Sequence, residues 1–193
     1  ELHLHLEGAA DPAFIRGLAK EKSVDLQKIF DENGNYKYDG FGGFLSTYEA
    51  ATQALQSPDD FKRLTQSVLE NLAEHNIVYA EVFISPDFCG GRDLGAWCEY
   101  LVAMQEAHVA GVTLKGIVTC IRHFGPEKAR ETAKCAAETA GDWIVGFGMG
   151  GAEDVGRATD FAYAFDIARE AGLRLTSHAG EWGGSQSVWE TVN

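Results

Sequence analysis

The sequence lacks the features that would tie it to a membrane, a nucleic acid or a disulfide scaffold. No apolar run approaches the ~18–20 residues that a membrane-spanning helix needs. Lysine and arginine total 16 against 29 aspartates and glutamates, a formal net charge of −13. With no Lys/Arg cluster, such a surface repels phosphate backbones and anionic lipid, so neither nucleic acid nor membrane is an expected partner. Cysteine is sparse: Cys89, Cys98, Cys120 and Cys135 form no C-x-x-C pair, which argues against a zinc knuckle. A disulfide framework is not expected either, and reduced thiols in a cytoplasmic protein are the expectation. No glycine-rich phosphate loop follows the first expected strand, which weighs against a nucleotide-binding open sheet.

What is present is ample for a packed core. Of 193 residues, 45% are hydrophobic and 23% charged, the proportions of an ordinary globular chain. Segment 1–6 alternates as E-L-H-L-H-L and reads as a strand. Asp11-Pro12 is a helix start, with the acid at the cap and proline at the first helical position. Residues 21–57 form a loop-rich insertion rich in glycine and asparagine, with short helices expected at about 25–30 and 44–54. After Ser57-Pro58 the pattern becomes regular. Helices are expected at 59–75, 93–110, 126–139 and 158–171, and strands at 77–84, 114–121, 143–147 and 173–177. Gly172 closes the helix before it. A further helix is expected at 185–191.

Strand and helix thus alternate five times, with strands starting near residues 1, 77, 114, 143 and 173. That regularity predicts a parallel sheet with helices outside it. A complete (β/α)8 TIM barrel takes ~250 residues. The expectation is therefore a single α/β domain over 1–193 with about five of the eight β/α units of such a barrel. An open doubly wound sheet is the second architecture.

The chemistry-bearing residues fall where a barrel places its active site, at the carboxyl ends of strands. His3 and His5, two apart on a strand, point to one face and can reach one metal ion. Glu7 follows, with Gly8 permitting a sharp exit. His178 ends the fifth strand in L-T-S-H-A-G-E, and in a closed barrel the first and fifth strands face each other across the mouth. Three imidazoles suit zinc. Glu181 lies too far along to share the strand face but can hang over the mouth as a proton carrier. Asp87, Arg122 and His123 also follow strands, and a structural or rim role is the first expectation for each. His75 and His108, near helix carboxyl ends, are read as structural, and the acids at Asp59-Asp60 as a helix start.

H-L-H-L-E-G at 3–8 and H-A-G-E at 178–181 resemble the adenosine deaminase family of metal-dependent amidohydrolases. Gly146–Glu153 is similar to that family's glycine-containing turn after the fourth strand, with Gly151 as its best-matching glycine. The resemblance implies that His3, His5 and His178 hold one zinc ion. It implies that Gly151 brings backbone against a purine and that Glu181 protonates the ring nitrogen beside the amino-bearing carbon. Zinc would supply the hydrolytic nucleophile, and ammonia would leave. The H-x-E and P-C-x-x-C signature of the nucleobase deaminases that act on polynucleotides is absent. The implied reaction is hydrolytic deamination of adenosine to inosine. Adenine deamination to hypoxanthine is the alternative, and another amidohydrolase or a non-enzymatic barrel fragment stands behind both. Glu7, the expected substrate-binding acid, departs from the adenosine-specific pattern, which carries aspartate there to bind the sugar; the longer acid either crowds a ribose or still reaches the same hydroxyl, and glutamate is common in the adenine deaminases. Trp182, next to Glu181, is a pocket wall or a rim aromatic. The resemblance also implies two further residues beyond Asn193, a histidine after the sixth strand and an aspartate after the eighth. The rest of the same barrel is thus an expected partner, and the chain alone is expected to be inactive, with apolar edges exposed.

Overall fold

A computed structural model describes residues 1–192. The strands are β1 (Leu4–His5), β2 (Tyr79–Ile84), β3 (Thr113–Ile121), β4 (Ile144–Gly150) and β5 (Arg174–Leu175). The helices are α1 (Pro12–Lys22), α2 (Gly40–Thr52), α3 (Pro58–Glu74), α4 (Leu94–Gln105), α5 (Pro126–Glu138), α6 (Ala162–Glu170) and α7 (Gly184–Val192). No helix among the described residues is long and apolar enough to cross a membrane. The chain packs as two compact units, residues 1–80 with 99–113, and residues 81–98 with 114 onward.

In the first unit, local signals set the helix starts. The Asp11 side chain accepts from Ala13 N at 2.7 Å, with Pro12 at the first helical position of α1. Ser57 caps α3 in the same way, accepting from Asp60 N at 3.3 Å, again with proline next. Each cap satisfies a backbone donor that the helix itself leaves open. Asp60 is itself buried, where desolvation would raise its pKa. Hydrogen bonds from Ser57, Lys22 and Gln56 outweigh that and hold it low. The apolar stripe of α3, Phe61, Leu64, Val68 and Leu72, is buried, and Phe61 meets Tyr100 of α4 edge-on at 5.2 Å. β1 is shorter than the period-two pattern implied: the chain turns at residues 6–9, and Ala9 N donates to His5 O at 2.9 Å. Residue 1 lies beside β2, with Glu1 N donating to Tyr79 O at 2.9 Å.

The insertion departs further from expectation. Gly40, Gly42 and Gly43 suggested loop up to residue 44, yet α2 begins at Gly40. Glycine weakens a helix by ~1 kcal/mol per residue, and aromatic packing overrides that cost. Phe41 stacks on Phe44 at 6.0 Å, Tyr38 meets Phe44 edge-on at 5.4 Å, and Phe44 contacts Tyr48 at 6.3 Å. Those contacts need Phe41, Phe44 and Tyr48 on one helical face.

In the second unit β2, β3, β4 and β5 are neighbours in chain order, and the β3–β4 and β4–β5 pairs are parallel. β4 runs on to Gly150, so most of the glycine segment expected as a turn is strand. Close approach explains this. A Cβ on Gly148 would stand 3.2 Å from both Phe83 and Thr176, and one on Gly146 3.1 Å from Arg174 O. Glycine here allows neighbouring strands and side chains to close in. Phe147, Val118, Ala133 and Trp97 fill the core of this unit, and the Trp97 indole donates to Thr139 Oγ1 at 3.1 Å. The helix expected from residue 158 opens as a 3₁₀ turn, Ala158–Phe161, before α6, and Gly172 follows it at φ +80° as expected. α7 buries none of its side chains. All four cysteines are free thiols; burial pushes Cys120 up to about 12 and Cys135 to about 11.

Phe61→Ala removes a fully buried ring and its partner contact and is expected to cost ~3–5 kcal/mol. Urea unfolding of the two proteins measures it, and a loss under ~1 kcal/mol would show that the first unit does not depend on this stripe.

Candidate active site

Each unit carries some of the residues singled out in the sequence. In the first, His3 directly precedes β1 and His5 ends it, and their ring centroids lie 5.4 Å apart. The turn after His5 drives Glu7 into the interior, where it is 3% exposed. Its Oε2 accepts the Tyr48 hydroxyl at 2.9 Å. Tyr48 reaches it over Gly8, where an added Cβ would lie 2.8 Å from the tyrosine ring. Glycine after Glu7 is therefore required by the approach of Tyr48 as much as by the turn. A cavity of about 50 Å³ lies here, lined by Glu7, Tyr36, Tyr38, Phe44 and Tyr48. Tyr48 was not foreseen. It sits 41 residues from Glu7, on the insertion helix, and nothing in local spacing links the two.

In the second unit, His178 follows β5, and its backbone N–H donates to Met149 O at 2.9 Å, extending the pairing with β4. Its ring lies edge-on to Phe83 at 6.4 Å. Glu181 stands on the loop beyond, its Oε2 3.5 Å from His178 Nδ1. That separation is longer than a usual hydrogen bond, and the carboxylate is half-exposed. Trp182 is 60% exposed, which favours the rim reading.

Gly151 has φ +97°, a conformation that side chains rarely adopt. A Cβ there would stand 2.8 Å from His123 Nδ1. The turn is closed by Ala152 N donating to that same nitrogen at 3.1 Å. Arg122 continues the closure: Nε donates to Val155 O at 2.8 Å and Nη2 to Gly156 O at 3.0 Å. Arg122 and His123 are thus the structural supports anticipated for them. Asp87 is also structural: it accepts from Ser85 Oγ at 3.0 Å and Thr132 Oγ1 at 3.3 Å, and pairs with Arg92. His75 Nδ1 lies 2.9 Å from Asn71 O one turn back.

The carboxylate that sequence reasoning missed is Glu153, two residues after Gly151. It is 6% exposed and accepts from Gly180 N, Trp182 N (2.6 Å), Gly183 N (2.9 Å) and the Ser187 hydroxyl. Desolvation alone would raise its pKa. The hydrogen bonds from Ser187, Trp182, Gly183 and Gly180 outweigh it and bring the group down to about 2. The only sequence signal was its place in the segment resembling the family's glycine turn.

The adenosine deaminase family profile matches residues 1–193. The chain is 41% identical over 192 residues to an adenine deaminase of Chelativorans sp. (strain BNC1), covering 97% of this chain and 59% of that one. Among solved structures, an adenine deaminase from Arthrobacter aurescens superposes with a TM-score of 0.82 at 28% identity, over 100% of this chain and 61% of that one. An amidohydrolase from Burkholderia ambifaria with bound zinc superposes at 0.79 with 26% identity, over 95% and 52%. The chain thus spans about 60% of the length of the curated relatives it matches. The fold is the parallel α/β barrel type expected, with five β/α units in this chain.

Two consequences can be measured. Gly151→Ala places a Cβ at positive φ against His123 and is expected to destabilise by ~1–2 kcal/mol or more; thermal unfolding reads it. Glu153 has a folded pKa below its ordinary 4.5, at about 2. Its stabilising contribution is therefore full above pH ~4.5 and lost as pH falls toward 2. Glu153→Gln should flatten the acid limb of the stability–pH curve in that window.

Proposed function

The chain belongs to the adenosine deaminase family, and on that premise we propose that the protein containing it is a metal-dependent adenine deaminase, converting adenine and water to hypoxanthine and ammonia. The sequence put adenosine first and adenine second; the relatives reverse that order, since those matched at 36–41% identity are named adenine deaminase. The observation that carries the choice is the burial of Glu7 beneath Tyr48. A ribose-binding acid at this place has to present oxygen to a sugar hydroxyl, whereas Glu7 is 3% exposed and already accepts from Tyr48. A bare base makes no such demand.

His3, His5 and His178 are the residues we assign to the metal. The fit test is the donor set itself: three imidazoles, two of them adjacent around one short strand, suit a zinc ion that keeps a position open for chemistry. Bound there, the ion supplies a nucleophile at neutral pH by lowering the pKa of its water. Glu181 moves the protons. It delivers one to the ring nitrogen beside the amino-bearing carbon, which makes that carbon electrophilic, and it is poised to serve the departing amine. Gly151 is assigned the backbone approach to the base, which its missing side chain permits. A small purine remains the expected substrate, and nothing in a chain of net charge −13 favours a polynucleotide.

The test is ammonia release by the complete, zinc-loaded protein given adenine and adenosine in parallel. Adenine is expected to react and adenosine to react slowly or not at all; the opposite preference, or silence on both with metal bound, would contradict the proposal. Glu181→Gln is expected to lower kcat by ~10²–10⁴-fold with metal content unchanged, as steady-state kinetics beside elemental analysis would show.

A further inference from the structure

We propose that Glu153 is a positioning residue for catalysis: it clamps the loop on both sides of Glu181 and so fixes where the proton-carrying carboxylate stands. The proposal rests on the reading of Glu181 as that carrier. Glu181 lies between Gly180 and Trp182, and the backbone N–H of each donates to Glu153, one to Oε1 and the other to Oε2. The backbone amides of the two residues flanking Glu181 are therefore tied to opposite oxygens of one buried carboxylate. Gly183 N adds a third donor at 2.9 Å, and the Ser187 hydroxyl, on the first turn of α7, a fourth.

Such convergence has a backbone cost that the sequence meets with glycine. Gly180 and Gly184 take φ +79° and +68°. A Cβ on Gly183 would stand 2.7 Å from the Ser187 Cβ and 3.0 Å from Glu153 Oε1. The loop can wrap the acid this closely only because those positions carry no side chain. Four donors on one ionised acceptor form a strong, directional set, and the negative charge lies beside the amino end of α7, where the helix dipole favours it.

The clamp is itself anchored. Glu153 hangs from the turn that His123 and Arg122 hold from the end of β3. The end of β3 thus fixes the loop after β4, and that loop fixes the loop after β5. The Glu181 side chain is left half-exposed while the amides of its two neighbours are held. A catalytic acid needs that combination, since a group fixed by its own carboxylate would have to break a bond to work.

The experiment compares Glu153→Gln, Glu153→Asp, Glu181→Gln and the Glu153→Gln/Glu181→Gln double variant in the complete zinc-loaded protein. Steady-state kinetics on adenine are read with metal content and amide hydrogen exchange over residues 179–184. A glutamine keeps the shape but loses the charge and one acceptor oxygen. The expected result is a fall in kcat of ~10²-fold for Glu153→Gln with KM and metal content little changed, and faster exchange at Trp182 and Gly183. Glu153→Asp is expected to recover part of the loss. In the Glu181→Gln background the second substitution is expected to cost almost nothing, because the group it positions is gone. The full factor reappearing there, or unaltered exchange in Glu153→Gln, would overturn the proposal. Should the wild-type protein not act on adenine, the functional reading fails by itself, and the exchange data still decide whether Glu153 holds this loop.

Discussion

A buried carboxylate with four donors is the constraint around which the second unit's half of the site is arranged. Glu153 carries charge into a place where charge is costly, and it stays ionised because backbone amides from one loop close around it. Remove the acid and three amides lose their acceptor together, which costs more than the mean worth of any single bond. The loop after β5 leads into α7, none of whose described side chains is buried. Polar closure on Glu153 ties that loop down, and the glycines of the segment permit it.

The first unit solves a related problem differently. Glu7 is also buried, but its hydroxyl donor comes from α2 in the insertion, over a glycine that clears the way. The insertion is thus more than a surface elaboration. Its aromatic cluster forms a helix in spite of three glycines at its start, and that helix brings Tyr48 to the acid that follows the H-x-H pair.

Much of this was legible from the chain alone. Asp11-Pro12 and Ser57-Pro58 marked helix starts, Gly172 a helix end, and the alternation of apolar strands with amphipathic helices gave five β/α units. These are local rules, each acting over a few residues. The paired histidines, His178 and Glu181 were legible for the same reason, as short motifs at strand ends. What stayed hidden was long-range. No spacing rule joins Tyr48 to Glu7 or Glu153 to a loop some 30 residues on. Nor does propensity foresee a helix beginning at Gly40 or a strand running on past Phe147 through Gly148 and Gly150, where packing partners outweigh the backbone's preference. Gly151 was read through a ligand, while the structure also gives it a neighbour, His123, that forbids any larger residue.

The most direct measurement is a crystal structure of the complete zinc-loaded protein with hypoxanthine bound. The account predicts a single metal ion on His3, His5 and His178, the Glu181 carboxyl against the purine ring nitrogen beside the oxygen-bearing carbon, and Glu153 still accepting from the amides of residues 180, 182 and 183. A metal that leaves any of these three histidines unbound, or a bound purine with Glu181 turned away from its ring, would contradict it.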